Sequence, residues 1–272
     1  MKLKERLDQL LKDGLASINE KEALYRCFGL IDLTSLEATD NEKSIGKLTG
    51  RARSYLGSMT LPPIPAVCVY PVFAGIAARD LSGTGIHTAA VAGAFPHGQS
   101  PLELRKAEVD FALKEGADEI DMVISRGRFL AGDYDYVYRE ISEIKALCEA
   151  KHLKVILETG ELESEENIRK ASRIALDAGA DYIKTSTGKT HPAASLEAML
   201  IMLEEIREFS RKTGKSAGIK PAGGIRTAEQ ALQYYCLVEQ LLGREWLNPE
   251  RFRIGASSLA GDLVEKIREM EE

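Results

Sequence analysis

The sequence has few of the features that mark metal proteins, disulfide scaffolds or membrane proteins. Its 272 residues include four cysteines, which are widely spaced and form no C-x-x-C pair, so neither a zinc site nor a disulfide framework is indicated. No apolar run approaches the roughly 20 residues that a membrane-spanning helix requires. The charged, amphipathic N-terminus lacks the apolar segment of a signal peptide. These absences predict a cytoplasmic protein with reduced thiols that contacts no membrane.

A large excess of charge of either sign is also missing. The chain has 36 basic and 42 acidic residues, which gives a formal net charge of -6. This mixture excludes the basic surface of a typical nucleic-acid-binding protein. The content of 44% hydrophobic and 29% charged residues is that of an ordinary globular protein. A small anionic ligand would therefore have to be held by a local site.

Short apolar segments recur along the chain, and stretches of helical period separate them. Most are rich in β-branched residues, as strands buried on both faces are. They begin at Leu30, Ala66, His87, Glu119, Lys154, Tyr182, Gly218 and Arg253. This alternation predicts a parallel sheet, and eight strands are the number that closes a (β/α)8 TIM barrel. An open, doubly wound sheet is the alternative, but no G-x-G-x-x-G motif follows the first strand.

The domain organisation is predicted to be simple. No low-complexity linker or change of composition divides the chain, so we expect residues 1–272 to form one α/β barrel domain. Residues 1–29 predict an N-terminal helical extension of one or two helices, which we expect to cover the N-terminal end of the barrel.

Three predicted helices have recognisable ends. Ser100 and Glu103 have the spacing of a capping box at the start of one helix. Thr227 and Gln230 have the same spacing at the start of another. Gly179 follows the last apolar residue of a third helix, where a left-handed residue is favoured.

Charged residues occupy one face of several predicted strands. Because side chains of a strand alternate between its faces and the helix-facing side must be apolar, the charged residues should point into the barrel. They are Asp121, Lys154, Glu158, Lys184 and Lys220. An isolated buried ion costs several kcal/mol, so these groups need partners. A salt-bridge cluster that only fills the barrel is the alternative to a catalytic site.

Two of the three lysines in this set, Lys184 and Lys220, form a pair that suggests covalent chemistry. In a desolvated pocket, Lys184 and Lys220 would depress each other's pKa. A neutral amine can attack a carbonyl group and form an imine. Asp121 would supply the acid and base function that formation of an enamine requires. We therefore predict Lys184, Lys220 and Asp121 as catalytic residues.

Glycine and hydroxyl residues follow the last three predicted strands and suggest a phosphate site. Glycines let backbone N–H groups approach an anion, and a helix N-terminus adds further donors. Barrels of this fold often bind phosphate after the seventh and eighth strands. The predicted phosphate-binding residues are Thr187, Lys189, Gly223, Gly224, Gly255, Ser257 and Ser258.

Seven segments resemble, in order, the hallmark segments of the class I (Schiff-base) 2-deoxyribose-5-phosphate aldolase family. The resemblance extends from about Leu30 to Ala260, which is nearly the whole barrel, and the segment KTSTGK is highly specific. The segments are LIDLT (30–34), VCVYP (67–71), EIDMVI (119–124), KVILETGEL (154–162), IKTSTGK (183–189), KPAGGIRT (220–227) and FRIGASS (252–258).

This resemblance implies an activity and a role for each matching residue. The reaction is the reversible cleavage of 2-deoxy-D-ribose 5-phosphate to D-glyceraldehyde 3-phosphate and acetaldehyde, without a metal or another cofactor. Lys184 would form the Schiff base, Lys220 would lower its pKa, and Asp121 would relay protons through a water. The partner is then a small phosphorylated sugar. The oligomeric state stays open, with a homo-oligomer such as a dimer as one expectation.

One departure from the family and two alternatives remain. Some relatives end in a tyrosine that assists proton transfer, but no tyrosine occurs here after Tyr235, so Asp121, Lys220 and a water are expected to carry the proton alone. A related Schiff-base aldolase acting on another sugar phosphate is the first alternative. The second is a phosphosugar-binding regulator, which would not need two buried lysines.

Overall fold

A parallel eight-stranded sheet forms the centre of the molecule, in a computed structural model that describes residues 2–57 and 61–271. The strands are short, and each coincides with one of the predicted apolar segments. They are β1 (Ile31–Thr34), β2 (Ala66–Val69), β3 (His87–Ala92), β4 (Glu119–Val123), β5 (His152–Ile156), β6 (Tyr182–Lys184), β7 (Gly218–Lys220) and β8 (Ile254–Ala256).

The sheet closes on itself. Consecutive strands pair from β1 to β7, and β1 also pairs with β8. Two isolated parallel bridges, Ile219 with Phe252 and Ala222 with Gly255, join the regions of β7 and β8. The predicted (β/α)8 barrel is therefore confirmed, and the C-terminal ends of all strands lie on one face, where catalytic sites of this fold occur.

Helices surround the barrel. Outward residues such as Ile120, Ile183 and Ile219 are fully buried against them, as the alternation of side chains requires. The α-helices are α1 (Leu3–Ser17), α2 (Glu20–Phe28), α3 (Glu42–Leu56), α4 (Ala74–Leu81), α5 (Leu102–Lys114), α6 (Arg126–Leu130), α7 (Tyr134–Cys148), α8 (Glu165–Asp177), α9 (Leu196–Thr213), α10 (Ala228–Leu242) and α11 (Leu259–Glu269). Within the described residues, no helix is both long enough and apolar enough to cross a membrane.

The N-terminal extension consists of two helices, α1 and α2. Helix α1 packs against α9 and α10, whereas α2 packs against α10 and α11. Both helices therefore pack against helices that surround the barrel, and the cover of its N-terminal end stays a prediction. Gly14 explains the close contact of α1, because a Cβ there would lie 3.0 Å from the Cβ of Cys236.

Two of the three predicted helix ends are confirmed. Thr227 and Gln230 form a capping box at α10, and Gly179 has a left-handed φ of 96° after α8. The prediction for Ser100 was wrong, since α5 begins after Pro101 without a side-chain cap. Pro101 has an extended ψ of 142° and is itself the N-cap residue, which leaves Ser100 one position too early.

Candidate active site

The three predicted catalytic residues meet inside the barrel. Lys184 and Lys220 end β6 and β7 and are paired in register, and Asp121 lies at the centre of β4. The Nζ atom of Lys184 is 2.6 Å from Oδ2 of Asp121, and the Nζ atom of Lys220 is 2.7 Å from the same oxygen. All three are at most 2% exposed. The site therefore brings two amines and a carboxylate together in a desolvated environment.

Further charged residues lie beside this triad on the barrel axis. Lys154, which was predicted to point inward, donates to Oδ1 of Asp121 at 3.0 Å. Its ammonium group also contacts Glu119, and Arg253 donates to Glu119 at 2.9 Å and to Asp32 at 2.7 Å. Sequence reasoning missed the last three residues.

A signal for all three missed residues was present in the sequence. Glu119 lies two positions before Asp121, and Arg253 lies two positions before Gly255, so each has the inward parity of its strand. Asp32 is a lone acid between Ile31 and Leu33, and its inward position follows from the same alternation.

Glu158 does not join this group, although its parity predicted that it would. It follows the end of β5 with a left-handed φ of 55°, which redirects its side chain. Its carboxylate accepts from Arg126 at 3.2 Å, and from both the backbone N–H and the hydroxyl of Thr187. Glu158 therefore fixes the loop after β6, whereas the carboxylate that Lys184 and Lys220 contact is that of Asp121.

The two lysines have pKa shifts of opposite sign. Burial lowers the pKa of Lys184, and the charge of Lys220 acts in the same direction against the attraction of Asp121. Burial would also lower the pKa of Lys220, but Asp121 and Asp32 outweigh it and raise that pKa. The expectation that the lysines depress each other's pKa is thus wrong for Lys220, because it has a second carboxylate partner. Lys184 is the amine that is more easily neutral.

Asp121 stays ionised in this environment. Burial alone would raise its pKa, but the charges of Lys154, Lys184 and Lys220 outweigh that effect and hold the pKa well below its usual range. An ionised carboxylate beside a reactive amine can accept a proton during catalysis.

A cavity of about 200 Å³ opens onto Lys184 from the C-terminal face of the barrel. Six of the seven predicted phosphate-binding residues line it, namely Thr187, Lys189, Gly223, Gly224, Gly255 and Ser257. Ser258 does not; it is exposed and precedes the first turn of α11. Arg226 also lines the cavity and was not among the predicted residues, although it lies two positions after the glycine pair in KPAGGIRT.

Glycine is required where two loops of the cavity touch. Gly188 and Gly223 have φ values of 78° and 88°. A Cβ on Gly223 would lie 2.8 Å from the Cα of Gly188 and 2.8 Å from the Cβ of Ala193. The loops after β6 and β7 can therefore pack closely and present backbone groups to the cavity.

The polar side chains around the cavity differ in their availability. Thr187 donates its N–H and its hydroxyl to Glu158. The ammonium group of Lys189 lies 3.1 Å from Glu37, in an exposed pair that contributes little. Two long cationic side chains, Lys189 and Arg226, thus border the cavity that contains the amine of Lys184.

A buried amine next to a carboxylate, under a cavity bordered by glycines and cations, agrees with what sequence comparison finds. Residues 34–238 match the model of a protein family described as DeoC/LacD family aldolase. The chain belongs to this family. It is therefore a lyase, since an aldolase breaks a carbon–carbon bond by reversing an aldol addition.

Relatives within the aldolase family are close in sequence over most of the barrel. Deoxyribose-phosphate aldolases of Mus musculus and Homo sapiens are each 42% identical to this chain over 255 residues, which is 90% of this chain and 80% of the relative. The resemblance seen in the seven sequence segments is confirmed by these similarities.

Solved structures show the same architecture. One from Coccidioides immitis has a TM-score of 0.75 at 26% identity and covers 100% of this chain and 99% of that one. Deoxyribose phosphate aldolase from Aeropyrum pernix, described as tetrameric, has a TM-score of 0.71 at 26% identity and covers 96% of this chain and 97% of that one.

Proposed function

We propose that this aldolase reversibly cleaves 2-deoxy-D-ribose 5-phosphate to D-glyceraldehyde 3-phosphate and acetaldehyde through a Schiff base on Lys184. The observation that carries the proposal is the position of Lys184. Its amine has a lowered pKa, opens onto the cavity and lies 2.6 Å from the ionised Asp121. The names of the mouse and human relatives support the choice of substrate.

The proposed reaction begins with attack of the neutral Lys184 amine on the aldehyde carbon of the substrate. Loss of water gives a protonated imine, which withdraws electrons from the adjacent carbon. Removal of the proton from the C3 hydroxyl then breaks the C2–C3 bond, releases glyceraldehyde 3-phosphate and leaves an enamine. Protonation of the enamine carbon and hydrolysis release acetaldehyde and regenerate the amine.

Asp121 and Lys220 have separate roles in this scheme. Asp121 is the proton carrier, because its carboxylate is the base nearest to the Lys184 amine at 2.6 Å. It acts on substrate atoms through a water, as the sequence resemblance implies. Lys220 stays a cation and supplies positive charge beside the imine nitrogen, since its raised pKa makes proton loss unfavourable.

The phosphate group is proposed to bind at the outer end of the cavity, between the loops after β6, β7 and β8. Backbone N–H groups near Gly223, Gly224 and Gly255, and those at the start of α11 near Ser257 and Ser258, would donate to it. Lys189 and Arg226 would add positive charge. Because Thr187 already donates to Glu158, we expect its contribution to be smaller.

Reductive trapping tests the proposed nucleophile. Incubation with acetaldehyde and borohydride, followed by peptide mass mapping, should show an ethyl group on Lys184. Lys184→Met should lose both the label and the cleavage activity while it keeps its fold, because the new side chain is apolar and of similar length. A label on Lys220, or no label on any lysine, would contradict the mechanism.

For the cellular setting, we propose a cytoplasmic homo-oligomer such as a dimer. All four cysteines are free and buried, which suits a reducing compartment. Exposed Val72, Leu104 and Phe111 provide apolar surface that association could cover. Light scattering coupled to gel filtration tests the oligomeric state. A monomer at all protein concentrations would exclude the proposed homo-oligomer.

A further inference from the structure

Oppositely charged side chains fill the barrel axis at and below the catalytic cavity. Each is at most 2% exposed, and each contacts a group of opposite charge. We call them the axial cluster, which consists of the carboxylates of Asp32, Glu119 and Asp121 and the basic groups of Lys154, Lys184, Lys220 and Arg253.

The charges of the axial cluster balance only when one of its four basic groups is neutral. Its three carboxylates carry a charge of -3, and Lys154, Lys220 and Arg253 together carry +3. A protonated Lys184 would then be a buried charge without a counter-charge, which a medium of low dielectric strongly disfavours.

The contacts determine which basic group gives up its proton. The guanidinium of Arg253 cannot be deprotonated in a protein. Lys154 contacts all three carboxylates and Lys220 contacts two. Lys184 contacts only Asp121, at an oxygen that it shares with Lys220. It therefore loses the least attraction on becoming neutral.

We propose that Arg253 is a positioning residue for the reaction, because its charge balances Asp32 and Glu119 and so leaves Lys184 as the surplus basic group. The proposal rests on the proposed function, since it explains the charge state of the proposed nucleophile. Arg253 does not line the cavity. It contacts Asp32 at 2.7 Å and Glu119 at 2.9 Å, and its effect on Lys184 is electrostatic.

Other titratable groups face the axial cluster and must be separated from it in any test. Burial raises the pKa of the Cys68 thiol to about 11 and also raises that of the Tyr182 phenol, so both stay neutral near neutral pH. The remaining groups approach from the N-terminal end of the barrel. They are His87, 2.8 Å from Glu119, His152, 3.8 Å from Glu119, and Glu250, 3.8 Å from His152.

A purely structural role for Arg253 makes a different prediction. If the residue only joins β8 to the rest of the barrel, its replacement changes the free energy of unfolding and leaves the pH dependence of imine formation unchanged. The pH midpoint of imine formation at Lys184 therefore distinguishes the two roles. The midpoint is obtained from the rate at which cyanoborohydride traps acetaldehyde on Lys184, measured as a function of pH.

The test compares single and paired substitutions in the full chain. Arg253→Met removes a positive charge, so Lys184 should hold its proton to higher pH and the midpoint should rise by on the order of one pH unit. Glu119→Gln removes a negative charge and should lower the midpoint. The double variant restores the charge balance and should return the midpoint close to that of the original protein. Arg253→Lys keeps the charge and should change the midpoint little.

An unchanged pH midpoint in Arg253→Met would overturn the proposal. So would a double variant whose midpoint is shifted as far as that of Arg253→Met. If Arg253→Met does not fold, Glu119→Gln still decides, because a midpoint that fails to fall contradicts the charge balance. His87→Gln should keep the pH midpoint of the original protein. A changed midpoint would mean that the observed transition is the titration of the His87 imidazole and not that of Lys184. An unsubstituted protein without label on Lys184 refutes the proposed function, whereas label on Lys184 with one common pH profile in all variants refutes only this inference.

Discussion

Lys184 and Lys220 donate to the same oxygen of Asp121, at 2.6 and 2.7 Å, yet the structure gives them opposite charge preferences. Lys220 also contacts Asp32, which raises its pKa, whereas Lys184 opens onto the cavity and has a lowered pKa. The additional carboxylate of Asp32 on β1 therefore keeps Lys220 a cation and leaves Lys184 as the amine that can act as the nucleophile.

Lys220→Leu tests the electrostatic role of the second lysine. Removal of its charge should raise the pKa of Lys184, and each unit regained leaves roughly tenfold less neutral amine below that pKa. The acidic limb of kcat/KM against pH should therefore move to higher pH. Lys220→Arg keeps the charge and serves as the control. The same profile in Lys220→Leu as in the original protein would show that Lys220 does not influence the nucleophile.

Ser257→Asp tests the phosphate subsite. Ser257 lines the cavity, so a carboxylate there should repel the phosphate dianion and raise the KM for deoxyribose 5-phosphate far more than for unphosphorylated deoxyribose. Ser258→Asp should act in the same direction but more weakly, because Ser258 lies outside the cavity lining. Equal losses on both sugars in Ser257→Asp would place the phosphate elsewhere.

Thr227→Ala tests the capping box of α10. The hydroxyl of Thr227 accepts from the backbone N–H of Gln230 at 3.3 Å, and its loss should reduce the free energy of unfolding by about 1 kcal/mol. Ser100→Ala is the matched control, since α5 has no side-chain cap and no loss is expected there. Urea denaturation of both variants provides the comparison, and a larger loss in Ser100→Ala would contradict the assignment.

His87 should make stability depend on pH. Its hydrogen bond to Glu119 raises its pKa above 6.5 in the folded protein. Because the pKa of His87 is higher in the folded than in the unfolded state, protonation stabilises the folded protein. This stabilisation is complete below the unfolded pKa and is lost as the pH rises through the folded pKa. The free-energy difference between the original protein and His87→Gln should therefore be largest under acidic conditions and shrink above neutrality. The half-exposed ring limits its size. Urea midpoints across pH test this, and a difference that grows with pH would contradict it.

Deletion of Arg268–Glu272 tests whether the C-terminal segment takes part in the chemistry. The phenol of Tyr25 in α2 donates to Glu271, so this segment packs against the N-terminal extension. We expect retro-aldol turnover and deuterium exchange at the acetaldehyde methyl group to stay close to those of the intact protein. A selective fall in the exchange rate would show that this segment contributes to proton transfer.

Local patterns account for the parts of the fold that were predicted correctly. The recurring apolar segments located every strand, and the alternation of side chains within them placed Lys154 inside the barrel together with the three catalytic candidates. The cap at Thr227 was readable because a capping box depends on residues only three positions apart. Glu158 broke the same alternation, because its left-handed backbone lies just past the end of β5.

The sequence by itself determined the eight strands and the barrel. It also identified Lys184, the first lysine of KTSTGK, as the candidate nucleophile. Only the tertiary structure decided the partners of each charge. Asp32 on β1 reaches Lys220 on β7 and Arg253 beside β8 only because the sheet closes, and no local pattern encodes that contact. Alternation states the face on which a side chain lies. Barrel closure sets which oppositely charged groups share that interior, and in this way it determines which amine can be neutral.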